Sequence, residues 1–219
     1  MASKLYKIIE IFSSLQGEGY WSGWPAIFVR FAGCNLDCEF CDTDFSGGVD
    51  MTAEQIRDQI KTVRTNPRTP VIFTGGEPLL QLDRELLITI FPNLEKSSAA
   101  KYLVRIETNG TLPIADDIRQ LIGWVSVSYK PGTTPALTEG NELKMLVSST
   151  GALVESPDIS SGNLAAVRLQ DFDFSYVFLQ PCLYNNTDED EKAKQQAIAM
   201  SKMLGWPVSF QMHKLVGIE

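Results

Sequence analysis

The sequence predicts an α/β fold, an incomplete barrel left open on one side. Three observations carry that expectation. Short β-branched apolar runs alternate with helix-period segments, which implies parallel strand pairing through right-handed crossovers. A complete eight-fold barrel takes about 250 residues, and this chain has 219. Polar residues and glycines gather just after successive strands, at the edge where α/β folds bind ligands.

The expected strands, in order, are 5–12 (LYKIIEIF), 26–31 (AIFVRF), 70–75 (PVIFTG), 102–108 (YLVRIET), 124–128 (WVSVS), 142–147 (ELKMLV), 176–180 (YVFLQ) and 207–211 (PVSFQ). Their branched and aromatic side chains suit a pleated, half-buried surface. Helices are expected over 52–65, with Thr52 as N-cap, then over 79–91, 115–122 and 187–205, the last rich in Ala, Lys, Gln and Met. Gly33, Gly75, Gly76, Gly110 and Gly132 fall just beyond strand ends, where the chain must turn sharply. The strand-end clusters are GCNLDC after the second strand, GGEP after the third, ETNG after the fourth, SYK after the fifth and QPC near residue 180. No internal repeat or low-complexity linker interrupts the pattern, so residues 1–219 are expected to form one domain.

Composition narrows the function classes. With 19 Lys+Arg against 27 Asp+Glu, the net charge of −8 argues against a broad nucleic-acid surface while permitting a local basic pocket. No apolar run approaches the roughly 20 residues of a membrane span. The N-terminus places polar and acidic residues where a signal peptide needs a continuous apolar stretch, so a cytoplasmic protein is expected.

Three of the 4 cysteines, Cys34, Cys38 and Cys41, crowd the stretch CNLDCEFC. That spacing is poor for disulfides and good for a metal centre. Two chemistries fit. A Zn site would close with a fourth ligand, for which Cys182 and His213 are the candidates. A cubane 4Fe–4S cluster would instead take three thiolates and leave its fourth iron open to a small molecule. Spacing alone leaves both open.

CNLDCEFC followed by FTGGEP resembles the radical S-adenosylmethionine superfamily, with its CxxxCxxC loop, its aromatic residue before the last cysteine (Phe40) and its GGEP turn. The resemblance implies a partial, open TIM-like barrel of the radical S-adenosylmethionine type. It also implies that Cys34, Cys38 and Cys41 hold the cluster, whose open iron chelates S-adenosylmethionine, and that reduction yields a 5′-deoxyadenosyl radical. The double glycine itself suits close approach of backbone to ligand.

A closer resemblance runs from residue 15 to the last residue. LQGEG, AIFVRFAGC, CDT, TGGEP, ETNGT, SVSYK, LQP and QMHKLVGIE together are similar to the 7-carboxy-7-deazaguanine synthase family. That family implies a lyase reaction of queuosine-type 7-deazapurine biosynthesis. In it, 6-carboxy-5,6,7,8-tetrahydropterin undergoes radical ring contraction to 7-carboxy-7-deazaguanine with loss of ammonia. Matched substrate residues are Leu15, Gln16, Gly17, Glu18, Arg30, Thr74, His213 and the α-carboxylate of Glu219. An amide, a carboxylate and main-chain groups complement the donor–acceptor edge of a pterin. Arg30, set between Val29 and Phe31 on an apolar strand, needs an acidic partner, which the substrate carboxylate or a protein carboxylate can supply. Thr43 matches the Mg2+ ligand, a hard oxygen donor. The matched S-adenosylmethionine contacts are Phe40, Asp42, Gly76, Glu107, Asn109, Ser128, Tyr129, Lys130, Gln180, Pro181, Cys182 and Leu183. Two positions depart from the family pattern, which has proline at Tyr129 and commonly methionine at Cys182; the latter reads as a small apolar filler. The resemblance further implies a homodimer and an electron donor such as flavodoxin or ferredoxin, with no direct nucleic-acid or membrane contact. A glycyl-radical-enzyme activase shares the cysteine loop and short barrel, and a non-catalytic Zn module is the reading from another class.

Overall fold

The computed structural model describes residues 3–41, 44–130, 132–151, 172–184 and 186–218. Among them, eight strands form a single open sheet in the order β3-β1-β2-β4-β5-β6-β7-β8. The strands are β1 (Tyr6–Leu15), β2 (Pro25–Phe31), β3 (Val49–Met51), β4 (Val71–Gly75), β5 (Val104–Thr108), β6 (Trp124–Val127), β7 (Glu139–Val147) and β8 (Asp173–Pro181). The helices are α1 (Ala53–Val63), α2 (Arg84–Ile90), α3 (Ser98–Lys101), α4 (Asp116–Arg119), α5 (Thr187–Leu204) and α6 (Met212–Val216). From β2 onward, β4, β5, β6, β7 and β8 pair in parallel, each with its predecessor. This is the open, partial barrel the sequence predicts.

Three expectations need correction. β1 pairs antiparallel with β2 and with β3, because its connection to β2 is a short loop rather than a crossover helix. The helix expected over 79–91 is instead a single 3-10 turn, Pro78–Leu80, followed by α2. The break lies at Asp83, whose extended backbone and carboxylate cap α2 by accepting from the Leu86 N–H. The strand expected over 207–211 reduces to one bridge between Val208 and Leu179. The tail just past it winds into α6, so His213 is helical.

The caps follow sequence rules. Thr52 and Gln55 form a capping box at α1. Asn186 caps α5, whose first turn carries Asp188, Glu189 and Asp190 against the helix dipole. Asp83 does more than cap, since it also accepts from the Tyr6 hydroxyl at 2.9 Å and from Lys4 Nζ at 2.5 Å, joining β1 to α2. Asp83→Ala is expected to lower stability by about 1–2 kcal/mol, read as an earlier urea midpoint with an unchanged slope.

Period-2 alternation divides the sheet into two chemically distinct faces. On β7, Leu143, Met145 and Val147 join the buried apolar core, to which Ile56 and Ile60 of α1 and Leu86 and Leu87 of α2 also belong. The intervening Glu142 and Lys144 are also buried, but they belong to the opposite, concave face. Matching register sets Glu107 of β5 beside Ser126 of β6, and Ser126 beside Glu142. Burying that many polar groups is costly unless each is paired, and the pairings build the site.

Candidate active site

One cavity of about 440 Å³ opens at the carboxyl ends of the strands, a size suited to small-molecule ligands. Its walls include the substrate residues expected from the sequence that the structure describes: Leu15, Gln16, Gly17, Glu18, Arg30, Thr74 and His213. The cysteines Cys34, Cys38 and Cys41 line it too, as do Phe40 and Gly76. Glu107, Asn109, Ser128 and Lys130 complete one side, and Gln180, Pro181, Cys182 and Leu183 another. Asp42, Thr43 and Glu219 lie outside the described residues. Tyr129 is the exception. Its ring is buried in the apolar core, where it stacks near Phe172 and its hydroxyl donates to the Leu137 carbonyl. Its side chain therefore does not line the cavity; the core claims an aromatic ring at that position.

The loop after β1 and α6 meet at one part of the cavity. Gln16 Nε2 donates to Glu107 at 2.9 Å, and the Glu18 N–H donates to Gln16 Oε1 at 3.0 Å. The Met212 N–H donates to the Gly17 carbonyl at 2.8 Å, docking α6 against this loop. A Cβ on Gly17 would stand 1.9 Å from His213 Nδ1, so glycine is what lets the imidazole approach. Arg30 has the protein carboxylate that the sequence allowed for, with Nε 2.6 Å from Glu10 Oε1. That pair also borders the cavity, and Arg30 lies over the Phe12 ring at 5.8 Å.

Glu18 is the most perturbed carboxylate here. Burial alone would raise its pKa, but the Lys144 ammonium, with Gln211 and His213, overrides this and pulls it to about 2. Because the folded value lies below the usual 4.5, the ion pair contributes fully above that pH. Its contribution is lost only as pH falls toward 2. Lys144 was not singled out from the sequence. The available signal was the alternation in ELKMLV, which sets Glu142 and Lys144 on one face of a strand. Gln211 and Glu10 were missed as well, because a partner role depends on which strand ends meet.

On the cofactor side, the glycine turn and the cysteine loop are bound together. The Glu77 N–H donates to the Gly33 carbonyl at 2.9 Å, and the Gly76 N–H to the Phe31 carbonyl at 3.2 Å. The Glu77 side chain, fully buried, accepts from the Thr108 hydroxyl and from the N–H groups of Leu79 and Asn109, all within 3.0 Å. GGEP is thereby locked to ETNG. Asn109 Nδ2 donates to Asn35 Oδ1 at 3.0 Å, and Asn35 Nδ2 to the Thr111 hydroxyl at 2.8 Å, which pins the cysteine loop to the same turn.

The residues present fit an iron–sulfur cluster. The three thiols border one cavity. Cys38 has its pKa raised by burial and by its neighbours Cys41 and Cys34, with Lys130 as the opposing charge. Three thiolates so placed repel one another until iron supplies positive charge. Cys34 Sγ already accepts from the Leu36 N–H at 3.4 Å, as cluster sulfurs do. Among the described residues, no three His, Cys, Asp or Glu side chains converge on a single-ion site. A cubane spreads its thiolates over different irons, so it does not need the three sulfurs to converge on one ion. Cys182, 2% exposed, is hydrogen-bonded with the Tyr184 hydroxyl, whose pKa burial and this contact push up to about 12. Gln180 borders the cavity, and its buried Oε1 has no hydrogen-bond partner among the described residues.

Comparison with known proteins agrees with this geometry. The radical SAM superfamily model matches residues 28–131. The chain is 40% identical over 216 residues to 7-carboxy-7-deazaguanine synthase of Bacteroides thetaiotaomicron, covering 97% of this chain and 98% of that protein. It is 33% identical to the enzyme of the same name from Burkholderia multivorans, with 97% and 99% covered. The crystal structure of QueE from Escherichia coli superposes with a TM-score of 0.64 at 26% identity, covering 95% of each chain. Membership of the radical SAM superfamily brings with it a 4Fe–4S cluster and S-adenosylmethionine. With that likeness extending over almost the whole length, the chain belongs to the 7-carboxy-7-deazaguanine synthase family of radical SAM enzymes.

Proposed function

We propose that this protein is a radical S-adenosylmethionine carbon–nitrogen lyase. It would convert 6-carboxy-5,6,7,8-tetrahydropterin into 7-carboxy-7-deazaguanine and ammonia, a step of queuosine-type 7-deazapurine biosynthesis. The observation that carries the reading is one cavity whose lining includes both the cysteine triplet and the Gln16–Glu18–His213 group. The cysteine loop alone would also suit an activase; near full-length similarity to deazaguanine synthases favours the small-molecule reaction.

Cys34, Cys38 and Cys41 would hold the cluster. When bound there, it supplies the electron for reductive cleavage of S-adenosylmethionine, the source of the hydrogen-abstracting radical. The remaining residues bind, orient and shield. Gly76, Glu107, Asn109, Ser128, Lys130, Gln180, Pro181, Cys182 and Leu183 would contact S-adenosylmethionine, with Phe40 and Asp42 beside the last cysteine and the Tyr129 backbone in line. Leu15, Gln16, Gly17, Glu18, Thr74 and His213 would take the pterin edge, and Arg30 the substrate carboxylate alongside the Glu219 α-carboxylate. A guanidinium engaged with Glu10 through Nε keeps its two amino groups for a second carboxylate. Thr43 would ligate a Mg2+ shared with the substrate, one hydroxyl plus a bidentate ligand and waters being sufficient for that ion. Positioning matters because a carbon-centred radical attacks the nearest C–H.

A cytoplasmic homodimer reduced by a flavodoxin or ferredoxin completes the reading. Exposed Tyr20, Trp24 and Tyr176 favour a partner surface, and no helix among the described residues is long and apolar enough to cross a membrane. The test is an anaerobic incubation of the reconstituted protein with reductant, S-adenosylmethionine, Mg2+ and carboxytetrahydropterin. Carboxydeazaguanine is the expected product. Its absence, with the cluster intact, would count against the lyase and for an activase.

A further inference from the structure

Lys144 sits in the middle of β7 on the concave face, its side chain 5% exposed. A lysine so deeply buried needs a reason. Its ammonium ion-pairs with Glu18 Oε2 and lies 3.8 Å from Glu107 Oε1. Glu18 Oε1 accepts from Gln211 Nε2 at 2.8 Å. The Lys144–Glu18 pair thus ties together the loop after β1, the end of β5 and the segment leading into α6. None of these pieces is near another in sequence: Glu18 and Lys144 are 126 residues apart, and Glu18 and Gln211 are 193 apart.

Resting on the function proposed above, we infer that Lys144 is a positioning residue for substrate, fixing the Glu18 carboxylate against the pterin edge without touching the reacting atoms itself. The alternative is that Lys144 merely offsets buried acids and contributes to folding. Geometry distinguishes them. Glu18 hangs on a loop, and two donors, Lys144 on one oxygen and Gln211 on the other, fix both the rotation and the position of its carboxylate. Such a two-point hold is what a recognition group needs to present a fixed acceptor.

The surrounding charges set the pH behaviour. Glu107 from β5 and Glu142 from β7 act on Lys144, Lys130 beyond β6 opposes it, and His213 from α6 faces Glu18. Burial would lower the Lys144 pKa, but Glu18 above all, with Glu107 and Glu142, holds it raised. Without the ammonium, burial would raise the Glu18 pKa against the remaining pull of Gln211 and His213, so the carboxylate would gain a proton at a higher pH than it does in the wild type.

The experiment is anaerobic steady-state kinetics of the cluster-loaded enzyme, varying carboxytetrahydropterin from about pH 6 to 9, a range that brackets the neutral titration of a buried carboxyl. The variants are Lys144→Met, Lys144→Arg, Glu18→Gln and the double variant. We expect the ratio of the Lys144→Met KM to the wild-type KM to climb about tenfold toward the acid end, a change of about 1.4 kcal/mol, with kcat little altered. Lys144→Arg should restore a flat ratio, and His213, present in every variant, cancels from it. In the Glu18→Gln background, adding Lys144→Met should leave KM unchanged. A pH-independent ratio overturns the inference, and so does a further tenfold KM rise in the double variant. Should Lys144→Met alone not fold, the double variant, which lacks both members of the Lys144–Glu18 pair, decides the question against Glu18→Gln. Wild-type enzyme that forms no carboxydeazaguanine overturns the parent reading and this inference with it. Product from wild type together with a flat ratio overturns the inference alone.

Discussion

Cys38→Ser protein is expected to emerge from anaerobic iron and sulfide reconstitution without the brown colour of a cluster, and to cleave no S-adenosylmethionine. Altering a residue that only orients a metal ligand typically costs about 10–100-fold in affinity or activity, so removing a ligand should exceed that range. Cys38 is the middle thiol of the triplet and the one on which the other two act electrostatically. A serine hydroxyl in its place is a hard, neutral donor where the irons require a soft thiolate. Cys182→Ser is the matching control. Cys182 is buried at the end of β8 and lines the same cavity, yet its position resembles that of an apolar filler. It should keep the colour of the cluster. Visible absorption and iron content check both variants, and loss of the cluster from Cys182→Ser but not from Cys38→Ser would reassign the ligands.

Gly76→Ala should be nearly as damaging, and for a steric reason alone. Its backbone does not lie in the left-handed region, so alanine could adopt the conformation without strain. The obstacle is space. A Cβ there would stand 1.9 Å from the Gly33 carbonyl oxygen and 3.0 Å from Cys34 Cβ. These are the backbone and first carbon of the cysteine loop, and neither can swing aside as a long side chain would. The same Gly33 oxygen accepts the Glu77 N–H, so the added methyl must part the glycine turn from the cysteine loop. Overpacking of this kind costs about 1–3 kcal/mol of stability, and a displacement near 1 Å at a reacting site can cost about 100-fold in rate. Equilibrium binding of S-adenosylmethionine to the reconstituted variant should weaken accordingly. Gly33→Ala provides the contrast. Gly33 has φ +82 but open space around a Cβ, so only backbone strain of about 1–2 kcal/mol is expected. Equal losses from the two substitutions would show that packing against the loop is not what glycine provides at position 76.

Strand and helix existence was legible from local periodicity, which is why β2, β4, β5, β6 and β7 fall close to their expected places. The 79–91 segment misled because Pro78–Leu80 and Arg84–Ile90 both have apolar side chains to bury. The break at Asp83 is decided by a carboxylate that bonds Tyr6 and Lys4 from another part of the chain. β3 and α3 were missed because three or four residues carry too little pattern to read. The cysteine triplet and GGEP were legible for the opposite reason, since their chemistry is set by spacing within a few residues.

What the sequence determined by itself was the set of chemical groups and the alternation that sends every second strand residue toward a common face. Which of those groups meet was decided by tertiary structure. The antiparallel start of the sheet brings Glu18 toward β7, α6 carries His213 and Gln211 back to it, and the core draws Tyr129 inward. Each of these depends on partners tens to hundreds of residues away. Their energy comes from burying charges together and apolar rings apart from water, a balance that no short window of sequence contains.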